Sequence, residues 1–265
     1  MKNIAFIGGG KMASAIAAGL VKNSVDPRQI HAFDPDSGAA ERFFAATGVR
    51  CSSSPEETLE KAQIVMICVK PQYVREALEG MKELLAGKLV ISIAAGVTLS
   101  KLSLLAGTDR IIRVMPNTPA LAGEGMSCYC TGSGVAETDI ADAEAVLRSF
   151  GKCRAVPERL MDAVTGLSGS GPAYVFEFIM ALADGGVREG LPRDTALLLA
   201  AQTVMGSAKM VLESSEHIAV LRDNVISPGG TTACGVAALD EGAFRSTVSK
   251  AVSAAARRSE ELGKL

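Results

Sequence analysis

The 265-residue sequence predicts an α/β chain, a doubly wound parallel sheet followed by an all-α region. Three observations carry that reading. Over the first ~155 residues, short apolar runs alternate with helical patterns, the signature of successive βαβ units. A glycine-rich turn follows the first apolar run and opens a helix. After about residue 158 no strand pattern recurs, and long apolar-periodic stretches take over.

The elements follow in order. Strands are expected over Asn3 to Gly8, Gln29 to Phe33, Ile64 to Val69, Leu89 to Ile93 and Arg110 to Met115, with weaker ones over Met126 to Cys130 and Cys153 to Val156. They are short and apolar on both faces, as buried parallel strands are. Helices are expected between them, over Met12 to Asn23, Gly38 to Thr47, Pro71 to Leu85 and Thr138 to Ser149. Right-handed crossovers then place helices on both faces of the sheet. The second part reads as five helices: Pro172 to Arg188, Asp194 to Glu213, Glu216 to Asn224, Thr232 to Glu241 and Ala243 to Leu262. Asp194 is expected to cap the second of these and Ser215 the third. The third and fifth are read as apolar around much of their circumference, which favours contacts with another subunit. The domain boundary falls between residues 1–158 and 159–265.

Composition narrows the function. The sequence is 48% hydrophobic and 21% charged, enough apolar content to build a sizeable core. Its net charge of −2, 4% aromatic content and lack of Trp argue against a nucleic-acid partner. No window reaches eighteen uninterrupted apolar residues, so no membrane span is expected. The two histidines, His31 and His217, cannot supply a three-histidine metal site, and no metal is expected. The six cysteines include no C-x-x-C pair and read as reduced core residues of a cytoplasmic protein.

Gly8-Gly9-Gly10-Lys11-Met12-Ala13 fits G-x-G-x-x-A in the strand–turn–helix context that a dinucleotide fingerprint requires, which makes the sheet Rossmann-type. Gly8 permits the tight turn, Gly10 leaves room for a pyrophosphate, and Ala13 lets the helix pack close. The helix start offers unpaired N–H groups and a positive dipole end to phosphates. Asp34 lies 24 residues after Gly10, at the end of the second strand. A carboxylate there accepts hydrogen bonds from the adenosine ribose and repels a 2′-phosphate, favouring NADH over NADPH. The other reading of Asp34 is a turn aspartate before Pro35. Lys70, at a strand end, is either a cofactor or carbonyl contact or a solvated lysine.

A second constellation, Ser227-Pro228-Gly229-Gly230-Thr231-Thr232, precedes a helix. Two glycines and two threonines at a helix start form an anion trap with no strong acid, base or metal ligand. That suits a small carboxylate substrate whose chemistry is supplied by a hydride-carrying cofactor. The other reading is a capped turn.

Taken together, these motifs resemble the pyrroline-5-carboxylate reductase family over essentially the whole chain. The carriers are Phe6-Ile7-Gly8-Gly9-Gly10-Lys11-Met12, Val69-Lys70-Pro71, Ile93-Ala94-Ala95-Gly96-Val97-Thr98 and Arg113-Val114-Met115-Pro116-Asn117-Thr118-Pro119. The most specific are Thr165-Gly166-Leu167-Ser168-Gly169-Ser170-Gly171-Pro172-Ala173-Tyr174 and the run from Ser227 to Thr232. The resemblance implies reduction of 1-pyrroline-5-carboxylate to L-proline with NADPH or NADH. It also implies an all-α dimerisation domain that interleaves with a partner subunit, with dimers assembling further, commonly into decamers.

Residue by residue, the resemblance places Ile7, Gly8, Gly9, Gly10, Lys11 and Met12 on the pyrophosphate. Cys68, Val69, Lys70, Pro71, Ser92, Ile93 and Ala94 would line the dinucleotide, with Asn224 near the nicotinamide. The substrate carboxylate falls to Gly229, Gly230 and Thr231 with Ser227 nearby, and Thr232 stands beside the ring nitrogen as the catalytic hydroxyl. Many members of the family carry Ser, Thr or Arg near the position of Asp34, so the expected cofactor leans toward NADH. A β-hydroxyacid dehydrogenase is the nearest rival enzyme, but its lysine and asparagine four residues apart are not matched by Lys209 and Glu213. A non-catalytic dinucleotide sensor would need a damaged substrate loop, whereas Ser227 to Thr232 reads as intact.

Overall fold

The computed structural model describes residues 2–263. The elements are β1 (Ile4–Ile7), α1 (Lys11–Lys22), β2 (Ile30–Phe33), α2 (Ser37–Thr47), α3 (Pro55–Leu59), β3 (Ile64–Ile67), α4 (Val74–Leu78) and α5 (Lys82–Leu85). There follow β4 (Leu89–Ser92), α6 (Leu99–Ala106), β5 (Ile111–Met115), β6 (Gly125–Thr131), α7 (Glu137–Arg148), β7 (Gly151–Ala155) and α8 (Met161–Val164). The chain continues through α9 (Gly171–Arg188), α10 (Arg193–Glu213), α11 (Ile218–Asp223), α12 (Thr231–Glu241) and α13 (Phe244–Gly263). Packing divides it into two compact units, one formed by the residues up to Ser170 with those from Ala254 on, the other by Gly171–Ser253.

In the first unit, the described strands form one seven-stranded sheet in the order β2-β1-β3-β4-β5-β6-β7. Its two faces are buried under separate apolar layers. Phe6, Ile16, Leu20, Phe43 and Leu147 fill one, and Leu59, Val65, Leu78, Leu85 and Leu102 fill the other. Strand residues alternate between these layers, which is why both faces of each strand are apolar. The first five strands are mutually parallel, as the βαβ reading requires. β6 departs from that reading by running antiparallel to β5, while β7 is parallel to β6. Only nine residues separate β5 from β6. That is too short for a parallel crossover, which needs a dozen or so, and the chain returns antiparallel.

Other local differences have local causes. The helix expected over Pro71 to Leu85 is broken into a 3₁₀ turn at Pro71–Tyr73 and the short α4 and α5, with Gly80 in the left-handed region at φ +80° between them. α3 and α6 were not expected. Both carry hydroxyl caps: Ser54 Oγ accepts from Glu57 N at 3.3 Å, and Thr98 Oγ1 accepts from Lys101 N at 3.3 Å. These are ordinary N-cap signals, but helices of five and eight residues show little apolar periodicity.

In the second unit, α9 and α10 pack together around Ala183, Ala196 and Ala200, the only buried hydrophobic cluster among its described residues. The rings of Phe178 and Phe244 lie 5.6 Å apart. α10 begins at Arg193 after an N-cap Pro192, so Asp194 sits in the first turn and accepts from Thr195 N rather than capping. α11 is capped by His217, whose Nδ1 accepts from Ala219 N at 3.2 Å, not by Ser215. The largest exposed apolar faces belong to α9 and α10, with Phe176, Met180, Leu198, Leu199, Met205 and Leu212 all exposed. The expectation had put them on the third and fifth helices of this half. Among the described residues α10 is also the helix long and apolar enough to cross a bilayer by length and composition.

Candidate active site

The sheet register brings most of the predicted cofactor residues to one edge. Ile7 lies opposite both Phe33 and Ile67, and Ile67 lies opposite Ser92. The carboxyl ends of four neighbouring strands therefore stop in line, and the loops Gly8–Gly10, Asp34–Asp36, Cys68–Pro71 and Ile93–Ala95 leave from them together. The ladder continues one step beyond the strands. Gly8 N donates to Phe33 O at 2.8 Å, Cys68 N to Ile7 O at 2.8 Å, and Ile93 N to Ile67 O at 3.1 Å. β1 has β2 on one side and β3 on the other, so chain order switches direction here, where ligands of doubly wound sheets bind.

The glycine turn is shaped by sterics. Gly8 has φ +99°, and a Cβ there would lie 3.0 Å from the carbonyl carbon of Cys68. A side chain is excluded by both conformation and the neighbouring strand. A Cβ on Gly10, by contrast, would meet nothing within 4 Å. The space over Gly10 is left open by the protein, as a pyrophosphate cradle requires. α1 starts directly behind it with no side-chain cap and no acidic residue in its first turn, and Ala13 is buried at its base. Its first N–H groups and dipole end are available to an anion. Lys11 and Lys70 are exposed at this edge. Ser92 is buried and its Oγ accepts from Ala94 N at 3.3 Å, which fixes the start of the Ile93–Gly96 loop. Burial pushes the Cys68 thiol well above the ordinary cysteine range, which makes it a neutral wall and not a nucleophile.

Asp34 is half-buried and turned toward the glycine loop. Its Oδ2 accepts from Gly9 N at 2.7 Å and its Oδ1 from Asp36 N at 2.9 Å. Asp34 thus closes its own turn and at the same time faces the glycine loop.

The same edge borders a cavity of about 680 Å³, lined in part by Pro71, Ala95, Gly96, Thr165 and Ser170. The last four carried no role in the sequence reading, although all lie in motifs that carry the family resemblance. Thr165–Gly169 forms a π-helical turn in which Ser170 N donates to Thr165 O at 2.8 Å. Such turns recur at functional sites, and periodicity cannot reveal them. Asn117 ties two of the motifs together: its Nδ2 donates to Ser168 O at 3.1 Å, and its Oδ1 accepts from Met126 N at 2.8 Å.

The second constellation lies in the second unit. Ser227 O accepts from Gly230 N at 3.0 Å, closing a turn with Pro228 first and Gly229 second at φ +67°. Proline followed by a positive-φ glycine is the type II pattern. A Cβ on Gly230 would run into the Ser227 hydroxyl, so a side chain there would require Ser227 to move. Gly230 is the N-cap of α12, again with no side-chain cap and no acid in the first turn. Ser227, Gly229 and Thr231 are exposed and Thr232 is half-exposed, all within one turn of this open helix end. Asn224, exposed at the end of α11, lies three residues before Ser227.

Residues 158–262 match the family model described as pyrroline-5-carboxylate reductase dimerisation, and residues 3–96 match that described as NADP oxidoreductase, coenzyme F420-dependent. The pyrroline-5-carboxylate reductase of Arabidopsis thaliana is 48% identical over 261 residues, covering 98% of this chain and 95% of its own length. The solved pyrroline-5-carboxylate reductase of Coxiella burnetii superposes with a TM-score of 0.92 at 36% identity, covering 98% of each chain. The pyrroline carboxylate reductase of Plasmodium falciparum, solved with NADP bound, gives 0.89 at 37% identity over 99% of this chain and 98% of its own. The chain belongs to the pyrroline-5-carboxylate reductase family.

Proposed function

We propose that this chain reduces the C=N bond of 1-pyrroline-5-carboxylate to L-proline with NAD(P)H, the last step of proline biosynthesis. One observation carries the reading. An uncapped helix start is offered to a small carboxylate by the Ser227–Thr232 turn, in a chain whose other half holds an intact dinucleotide turn. The bound cofactor supplies a hydride to carbon 5 of the imine. Everything else falls to the protein. Ile7, Gly8, Gly9, Gly10, Lys11 and Met12 hold the pyrophosphate. Cys68, Val69, Lys70, Pro71, Ser92, Ile93 and Ala94 line the dinucleotide, and Asn224 serves the nicotinamide end.

Gly229, Gly230 and Thr231, with Ser227, bind the substrate carboxylate through backbone amides and hydroxyls. Thr232 orients the ring nitrogen and relays a proton from water. A protonated imine is already electrophilic, so alignment removes much of the remaining barrier. Asp34 makes NADH the preferred cofactor. The division of labour runs at 158/159, with cofactor binding in residues 1–158 and substrate binding and dimerisation in 159–265. The exposed faces of α9 and α10 are covered by a second copy in an interleaved homodimer, which assembles further, as far as a decamer. The setting is cytoplasmic, with no nucleic-acid or membrane partner.

The test is pyrroline-5-carboxylate-dependent oxidation of NADH and NADPH, run alongside light scattering for mass. Binding of cofactor without imine reduction would end the enzymatic reading.

A further inference from the structure

The loop from Ile93 to Thr98 leaves the carboxyl end of β4 and enters α6 at Leu99. Gly96 turns it at φ +75°. Two polar side chains hold its ends. At the near end, Ser92 Oγ accepts from Ala94 N at 3.3 Å. At the far end, Glu158 Oε1 accepts from Leu99 N at 2.7 Å. That amide is one of the donors a helix start leaves unpaired, and a carboxylate there is also favoured by the helix dipole. Thr98 Oγ1 accepts from a different amide, that of Lys101, so the two acceptors serve different donors.

Glu158 is itself fixed. It opens the 3₁₀ turn Glu158–Leu160 between β7 and α8, and Arg113 Nη1 donates to the same Oε1 at 3.1 Å. Arg113 is buried on β5, directly opposite Ser92 on β4. A buried guanidinium is costly unless paired, yet a pair that served burial alone would need no third member. Here one carboxylate oxygen takes both the cation and the amide at the end of the loop. One register position of the sheet, Ser92 with Arg113, therefore governs both ends of the loop.

The place of the loop gives this arrangement a use. β2 lies on one side of β1, and β3 and β4 on the other. A dinucleotide with its pyrophosphate on the turn after β1 and its adenosine by β2 extends its nicotinamide half over β3 and β4. We propose that Glu158 is a positioning residue for hydride transfer: held by Arg113, it sets the Ile93–Thr98 loop against the nicotinamide ring and so fixes the orientation from which the hydride leaves. The proposal rests on the cofactor-binding reading given above and deepens it.

The experiment compares wild type, Glu158→Ala, Glu158→Gln and the double variant Glu158→Ala/Arg113→Met. Each is assayed with pyrroline-5-carboxylate and the cofactor that wild type uses faster, with ADP, which lacks the nicotinamide half, as competitive inhibitor. In Glu158→Ala kcat should fall about 30-fold, the scale of a small misplacement of the reacting ring. Inhibition by ADP should stay within about twofold of wild type, because its site does not include the loop. Glu158→Gln keeps an oxygen acceptor for Leu99 N and should bring kcat back to within about threefold of wild type. Deuterium exchange of the Leu99 amide should quicken about 100-fold in Glu158→Ala and much less in Glu158→Gln. The double variant removes the cation that Glu158→Ala leaves buried and unpaired, so it should show the same kcat loss and replaces the single variant if that fails to fold.

Unchanged kcat in a folded Glu158→Ala or double variant overturns the proposal. So does a kcat loss that ADP inhibition follows in proportion, or that Glu158→Gln does not reverse, for then the carboxylate only supports the fold. A wild type that reduces no imine would overturn the functional reading instead. Titration then still judges the loop: weaker NADH binding beside unchanged ADP binding in Glu158→Ala supports its role, and unchanged NADH binding overturns it.

Discussion

The two units of this chain solve the burial problem differently. In the first, both faces of the sheet are closed by helices of the same chain, and residues such as Leu20, Phe6 and Leu102 are fully buried. In the second, three alanines are the buried hydrophobic cluster, while Leu198 remains 69% exposed and Leu212 66%. Apolar area of that extent is seldom left to water by a stable monomer. The first unit closes its own core, whereas the second leaves the kind of apolar face that a partner covers, in keeping with the dimerisation model that matches it.

That contrast can be broken most directly at the core. Leu20→Ala should cost about 3 kcal/mol of stability, by lost burial and a residual cavity. Its effect in denaturant melts should be independent of protein concentration. A concentration-dependent cost would mean that the first unit also leans on a partner. A nearly comparable effect is expected at the second unit's helix start. Thr232→Ala should reduce kcat about 100-fold at saturating cofactor, the low end for a proton-handling group, with cofactor KM unchanged. Equal turnover in steady-state assays would remove Thr232 from the chemistry.

The partner surface sharpens the contrast next. Leu198→Glu should weaken self-association about 30-fold, equivalent to about 2 kcal/mol at an interface hot spot, as read by light scattering over a dilution series. The first unit should keep its melting behaviour. A wild type that stays monomeric at every concentration would refute the idea.

The smallest effect concerns pH in the first unit. The Arg110 guanidinium bonds Asp139 at 2.6 and 2.8 Å and holds its carboxyl below the usual range, despite burial. Its folded value is depressed, so its contribution is fully present above the unfolded value near pH 4 and is lost as pH falls through the folded one. Asp139→Asn should therefore remove about 1.5 kcal/mol at neutral pH and flatten the decline of Tm between pH 5 and 3. An equally steep decline in the variant would place the acid sensitivity elsewhere.

Much of the site could be read in advance because it is written in local rules. Gly8 and Gly229 need positive φ, Pro228 fixes a turn, and strand-end loops of a parallel sheet gather on one edge by topology alone. Thr165 and Ser170 escaped because a π-turn has no periodic signature and the side chain tied to it, Asn117, lies about fifty residues away in sequence. The thiols divide in the same way. Cys128 and Cys130 are buried as expected, while Cys234 is exposed on α12, which composition could not distinguish.

The order of elements, the glycine turn before α1 and the Ser227–Gly230 turn were determined by the sequence itself, because each depends on backbone freedom, short-range hydrogen bonding or hydrophobic period within a few residues. The antiparallel return of β6 and the engagement of Asp34 with Gly9 were decided by tertiary structure. Those outcomes turn on which strand edge and which distant amide come within hydrogen-bonding distance, relations that exist only once the chain has folded.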